Sequence, residues 1–248
     1  MYLGYVLFCL GFPDQAQRQD SAAIAEARRL AHPHSLAVSL SLGAVPLLFV
    51  DDDAALDGRA GQLFAVATEQ GFPYYRASGI ICRGWGKVKN GDVAEGISLL
   101  RSGSSAYRAT GSEAWMPYIF AFLARAYEMA GQIEEGLTVL DDALHLAERT
   151  GERWFAGELN RHKGQLLLRL GHSEAAEVLY RKALSIAEEQ GAKLWELRAA
   201  ASLARLRRDQ GRRAEARGLL APVYGWFTEG FDTPVLKEAK LLLEELTE

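Results

Sequence analysis

Glu158 and His162 stand four residues apart, and no other pair in the sequence is so suggestive of chemistry. On a helix that spacing puts a carboxylate and an imidazole on one face, which is half of a zinc-ligand pattern. No third ligand accompanies them, so the pair reads as an i,i+4 surface contact. The run Asp51-Asp52-Asp53 offers oxygen ligands for a hard cation but reads first as a turn and helix N-cap. His32 and His34 flank Pro33 as linker residues. Cys9 and Cys82 are too few for a disulfide framework or a cysteine-rich metal site, and they read as core thiols in a reducing compartment. Gly84-Trp-Gly-Lys87 contains a Gly-Lys pair, but valine follows it and no glycine-rich strand-to-helix loop precedes it, so it is no phosphate loop. The sequence nominates no catalytic residue, no metal and no cofactor.

The elements that position these residues are announced by glycines. One series runs Gly11, Gly91, Gly131, Gly171 and Gly211, in multiples of forty, and the vacancy at residue 51 falls on the aspartate run. A second series, Gly71, Gly111, Gly151 and Gly191, is offset by twenty. A fixed long period marks stacked supersecondary units, here a helix, a short turn and a second helix. Helix A follows the second series and helix B the first. Small residues recur where paired helices must cross closely: Gly84, Ala124, Gly164 and Ala204 in helix A, and Gly96, Gly136, Ala176 and Ala216 in helix B. Tyr75, Trp115, Phe155 and Trp195 share one phase early in helix A and read as packing between repeats.

Composition bounds the function. The 248 residues carry 28 Lys+Arg against 32 Asp+Glu, a net charge of −4. That balance excludes a general nucleic-acid coat and a polybasic membrane anchor. The apolar stretch Met1–Phe12 lacks the basic start and cleavage site of a signal peptide. The run Ser35–Val50 is shorter than the roughly 18 to 20 residues that span hydrocarbon. A cytoplasmic protein without a membrane partner is expected.

Within one repeat, Phe120, Leu123, Ala124, Tyr127, Gly136, Leu140 and Ala143 follow an order that resembles the tetratricopeptide repeat, although the forty-residue period is longer than the usual unit. The resemblance implies an all-α, right-handed solenoid of antiparallel helix pairs. A narrower resemblance rests on Glu158-Leu-Asn-Arg161-His-Lys-Gly164, Leu203-Ala-Arg-Leu206, Asp209-Gln-Gly-Arg212 and the segment Leu219–Thr233. These resemble the C-terminal repeat region of large bacterial signalling proteins. In those proteins a class III adenylate/guanylate cyclase domain or a DNA-binding domain precedes a predicted ATPase module. The resemblance implies a regulatory arm whose chemistry lies in domains outside this chain, not an enzyme. Residues 43–60 are the least family-like, and Pro46 falls inside a predicted helix.

The same resemblance puts the A helices on the concave face. Helix A is rich in arginine and lysine, while helix B is acidic in the middle repeats. Trp85, Arg125, Gln165 and Arg205 form one row into the groove. Tyr118, Glu158 and Arg198 form a second, with Arg161, Arg169 and Arg208 nearby. These ten residues are the candidate ligand site, a basic groove with aromatic edges for an acidic peptide or a partner's carboxylate. The competing reading is a solvated face whose charges balance locally. Glutamate at positions 161, 198 and 205 is expected to abolish binding without unfolding. Nucleic-acid contact by an accessory arm of a transcriptional regulator is the alternative function, and steep salt dependence would mark it.

The repeat phase locates the ends. Met1 falls in the middle of a helix A, with Gly4 at its small-residue position, so a fragment with Tyr2, Leu3, Tyr5, Val6 and Phe8 exposed is expected, prone to aggregate or to fray before Gly11. Residues 1–231 read as the repeat solenoid and 232–248 as a capping helix, with Thr233 at its N-cap and Pro234 at its first position.

Overall fold

The computed structural model describes residues 2–49 and 53–247, and among these every regular element is an α-helix. The inner members of the pairs are α1 (Tyr2–Cys9), α3 (Pro33–Leu47), α5 (Pro73–Lys89), α7 (Met116–Met129), α9 (Ala156–Arg169) and α11 (Lys193–Asp209). Their outer partners are α2 (Pro13–Arg29), α4 (Asp53–Glu69), α6 (Val93–Arg108), α8 (Ile133–Thr150), α10 (Ser173–Glu189) and α12 (Arg213–Gly225). A last helix, α13 (Pro234–Glu245), packs on α11 and α12. The run Asp51-Asp52-Asp53 lies outside the described side chains. Among the described residues no helix is long and apolar enough to cross a membrane.

The forty-residue ruler is visible in the backbone. All nine linker glycines have positive φ, from 63° at Gly191 to 94° at Gly11, the left-handed region in which a Cβ is costly. Residue 31 completes the second series without a glycine, and Ala31 takes φ 47° there. The geometry of the hairpin sets the turn even where the residue type does not favour it. Helix crossings are as close as the small residues allow. A methyl on Gly84 would lie 2.9 Å from the Leu100 nitrogen, and one on Gly96 would lie 2.8 Å from the Gly84 carbonyl oxygen. Thus α5 and α6 cross backbone against backbone.

Two inner helices begin later than their phase predicts. Trp115 and Phe155 are N-cap residues of α7 and α9, not members of them. Trp115 adopts φ 67°, and its N–H donates to both carboxylate oxygens of Glu152, at 2.8 and 3.0 Å. A carboxylate from the next repeat thus holds the entry to α7.

The solenoid closes on itself. Each inner helix packs on the next, and α11 packs back on α1. At the seam Glu229 accepts from the Gln15 backbone N–H at 3.0 Å and from its side-chain amide at 3.1 Å. The Gly230 N–H donates to Asp14 at 3.2 Å, and the Trp226 ring lies 5.4 Å from Phe12. The start of the chain is therefore only partly exposed: Tyr2, Leu3 and Val6 are, but Phe8 is buried and Tyr5 half-buried against Trp115 and Trp154. At the other end Thr233 and Pro234 open α13 as expected, but the Thr233 hydroxyl donates to the Gly230 carbonyl at 2.7 Å instead of capping the helix.

Candidate functional site

The centre of the ring is built around Phe49, a residue outside the candidate set. Proline cannot donate the hydrogen bond that continues a helix, and Pro46 lies in the last turn of α3. The chain leaves α3 there and turns Leu48 and Phe49 inward, both buried. The Phe49 ring lies 5.0 Å from Trp195, 5.6 Å from Phe122, 5.8 Å from Phe8 and 6.0 Å from Phe155. One side chain thus bridges α1, α7, α11 and the start of α9. The signal available in sequence was a proline followed by an apolar run in the least regular repeat.

Beside this plug lies a cluster of charge. Glu158 is fully buried. It accepts from Arg161 Nε at 2.7 Å and Nη2 at 3.0 Å, and from Arg198 Nε at 2.9 Å. Burial alone would raise its pKa. Arg161 and Arg198 outweigh that and hold the carboxyl well below its usual range. Burial pushes the His162 imidazole far below its ordinary value, and Arg161 adds to the effect, so the ring is neutral. Its Nε2 stands 3.6 Å from Glu158, and neither ring nitrogen has a hydrogen-bond partner. The expected surface pair of Glu158 and His162 is in fact buried, because the closed ring encloses the face of α9 that an open groove would leave wet.

Arg125 completes the cluster without a carboxylate of its own. It makes no hydrogen bond or ion pair with the described residues, and its guanidinium stacks over Trp85 at 4.7 Å. Burial first, and then Arg198 and Arg161, lower its pKa to about 10. Arg198 also lies over the Phe49 ring at 5.5 Å. An opening of about 340 Å³ beside α13 reaches Arg125 and Arg198 between Phe49, Trp85, Met129 and Val235.

The ten sequence candidates separate into four groups. Trp85, Arg125, Glu158, Arg161 and Arg198 meet at the centre. Gln165 and Arg169 extend the cluster outward: Gln165 accepts from Arg161 at 3.3 Å and donates to Glu128 at 2.9 Å, and Arg169 reaches the same carboxylate at 3.3 Å. Arg205 and Arg208 are drawn to α13, to Glu238 at 3.0 Å and Glu245 at 2.5 Å. Tyr118 is buried and lines a separate cavity. The remaining sequence features are structural. His32 Nδ1 accepts the Ser35 N–H at the start of α3, His34 packs edge-on against Phe72 and Tyr75, and Lys87 pairs with Asp92 and Glu95. Burial raises the thiols of Cys9 and Cys82 to about 12. Among the described residues no group of three or more His, Cys, Asp or Glu could hold a metal ion.

Comparison with known proteins agrees with this architecture. The chain resembles a crystal structure of kinesin light chain-like, tetratricopeptide-like repeats from Podosopora anserina, with a TM-score of 0.54 and 20% identity, covering 69% of this chain and 85% of that one. It resembles BtubC (BKLC) from P. vanneervenii with a TM-score of 0.61 and 16% identity, covering 88% and 94%. The fold is that of tetratricopeptide-like repeat proteins. No family model matches the chain. A curated relative, an uncharacterized protein from Rhizobium meliloti (strain 1021), is 29% identical over 208 residues, which are 82% of this chain. The chain spans only 20% of that relative's length.

Proposed function

We propose that this tetratricopeptide-like module binds protein partners, and that its centre takes the carboxylate of an acidic segment. The carrying observation is the charge count at the core of the ring: three arginines, Arg125, Arg161 and Arg198, face one buried carboxylate, Glu158, with His162 neutral. Desolvated guanidinium groups in excess of their partners favour an incoming anion. The contacts of α13 support the same chemistry, since Glu238 and Glu245 satisfy Arg205 and Arg208. The glutamates of α13 are a template for what this face accepts.

In the signalling proteins that the C-terminal motifs resemble, such a module is a cytoplasmic, non-catalytic regulatory arm beside cyclase and ATPase domains. We read this chain in that role. The much greater length of the Rhizobium meliloti relative supports it. The test uses the whole chain. A glutamate-rich peptide should bind with saturation, a lysine-rich peptide of equal length should not, and a short DNA duplex should bind no more tightly than the lysine peptide. Preferential, steeply salt-dependent duplex binding would overturn the reading in favour of a nucleic-acid arm.

A further inference from the structure

A cavity of about 540 Å³ lies away from the arginine centre, at the seam between the first two repeats and the start of α13. Phe8 of α1 and Leu47, at the end of α3, supply apolar wall, and Pro234 of α13 faces them. Asp20 of α2 and Arg59 of α4 bring charge into it. Asp232 and Lys237, both exposed, stand at the rim and offset each other. The cavity owes its shape to the irregular stretch 43–60. Pro46 ends α3 beside it, and Gly43 leaves the α3 backbone bare.

Asp20 and Arg59 are unsatisfied. Asp20 is only 6% exposed, yet it makes no hydrogen bond or ion pair with the described residues, Arg59 included. Arg59 is half-buried. Its Nη1 is closed off without a partner, and the accessible part of the side chain faces the cavity. Both groups crowd Gly43, where a methyl would lie 2.3 Å from Arg59 Nη1 and 3.4 Å from Asp20 Cγ. They thus flank one bare turn of α3 without meeting. Buried charges of opposite sign that do not pair are costly. Burial raises the Asp20 carboxyl to about 6, which leaves it mostly ionised at pH 7. The space far exceeds the roughly 30 Å³ share of one water and falls among ligand sites of about 300–1,000 Å³. A lone cation there would be repelled by Arg59, and a lone anion by Asp20. A molecule that carries both signs a few atoms apart satisfies both groups at once.

We propose that this cavity binds a free α-amino acid with an aliphatic side chain. Its ammonium group donates to Asp20, its carboxylate accepts from Arg59, and its side chain lies against Phe8 and Leu47. The bound molecule joins α2, α3 and α4 to α13 and so tightens the seam from within. Neither charge that holds it belongs to the arginine centre.

The experiment is a calorimetric titration of leucine into the full chain at pH 7. Leucinamide, which lacks the carboxylate, and 4-methylpentanoate, which lacks the ammonium, are the comparators. Saturable one-to-one binding of leucine is expected, with each comparator at least about tenfold weaker, the worth of one charged hydrogen bond. Asp20→Asn should weaken leucine at least about tenfold and leave 4-methylpentanoate no weaker than before. Arg59→Gln should weaken leucine similarly and leave leucinamide no weaker. Leucine should also raise the melting temperature of wild type and not of Asp20→Asn. Absence of saturable leucine binding overturns the proposal. So does a comparator that binds as tightly as leucine, or leucine affinity unchanged by Asp20→Asn. Ligand-free Asp20→Asn that melts well below wild type at pH 8 also overturns it, because Asp20 and Arg59 would then already be paired.

Discussion

Glu158 and Arg198 occupy the same face of successive inner helices, forty residues apart, and are joined by a 2.9 Å hydrogen bond from Arg198 Nε to Glu158 Oε2. With Arg161 on its other side, this buried carboxylate ties α9 to α11. Removing one member of such a cluster leaves uncompensated buried charge. Glu158→Gln should therefore cost about 3–5 kcal/mol in chemical denaturation. The effect depends on pH in a fixed direction. The folded carboxyl titrates below its unfolded value, so its contribution is complete above the unfolded pKa of about 4.3 and is lost as the pH falls toward the lower folded value. Wild-type and variant melting temperatures should converge on acidification below that point. Arg161→Glu should unfold the chain, contrary to its expected use as a silent binding variant, because it would remove the bidentate partner of Glu158 and bury a second carboxylate beside it.

Phe49 should be a larger determinant of stability than any other residue of its irregular repeat. Its ring fills the axis between four inner elements that are distant in sequence. Phe49→Ala should cost about 3–5 kcal/mol, the penalty for an unfilled core cavity. Urea denaturation followed by circular dichroism measures it. A loss below 1 kcal/mol would mean that the centre collapses freely.

Asp20 on α2 is buried near Arg59, and burial raises its carboxyl to about 6 despite that arginine. A raised acid pKa runs opposite to Glu158: the folded state binds the proton more tightly, and stability is lost as the pH rises through 6. Asp20→Asn should raise the melting temperature at pH 8 and change it little at pH 4. Gly4→Ala should be destabilising at both, because its methyl would fall 2.1 Å from Asp20 Oδ1.

The closed seam predicts a link between the two ends of the chain. Glu229 satisfies the Gln15 N–H in the first turn of α2, where no intrahelical acceptor exists. Glu229→Ala should cost about 1 kcal/mol and increase hydrogen exchange at the start of α2. Exchange confined to the loop before α13 would argue that the ends do not hold each other.

The repeat was legible because each turn has its own local mark, and the linker glycines from Gly71 to Gly211, twenty residues apart, all take the left-handed conformation their spacing demanded. The basic inner face was legible because Arg125, Arg161 and Arg198 recur in helix A. Closure was not. It arises from small rotations accumulated over six hairpins, and no residue type signals it. The burial of Glu158 and His162 follows from closure and carries no local mark, and neither does the capture of Arg205 and Arg208 by α13. The place of Phe49 depends on a break at Pro46 that the sequence shows only as an irregularity. The late starts of α7 and α9 depend on contacts between repeats, such as Glu152 on Trp115, that periodicity cannot display.

Arg125 bears most directly on the proposed function, because it is half-buried, adds positive charge to the centre and has no carboxylate partner among the described residues. Arg125→Met keeps an apolar stem against Trp85 and removes only the charge. Titration of a glutamate-rich peptide into wild type and Arg125→Met gives the decisive comparison. Binding should weaken at least about tenfold, while the melting temperature stays level or rises because a desolvated charge has gone. Equal affinity for the two proteins, at equal stability, would contradict a carboxylate-binding centre.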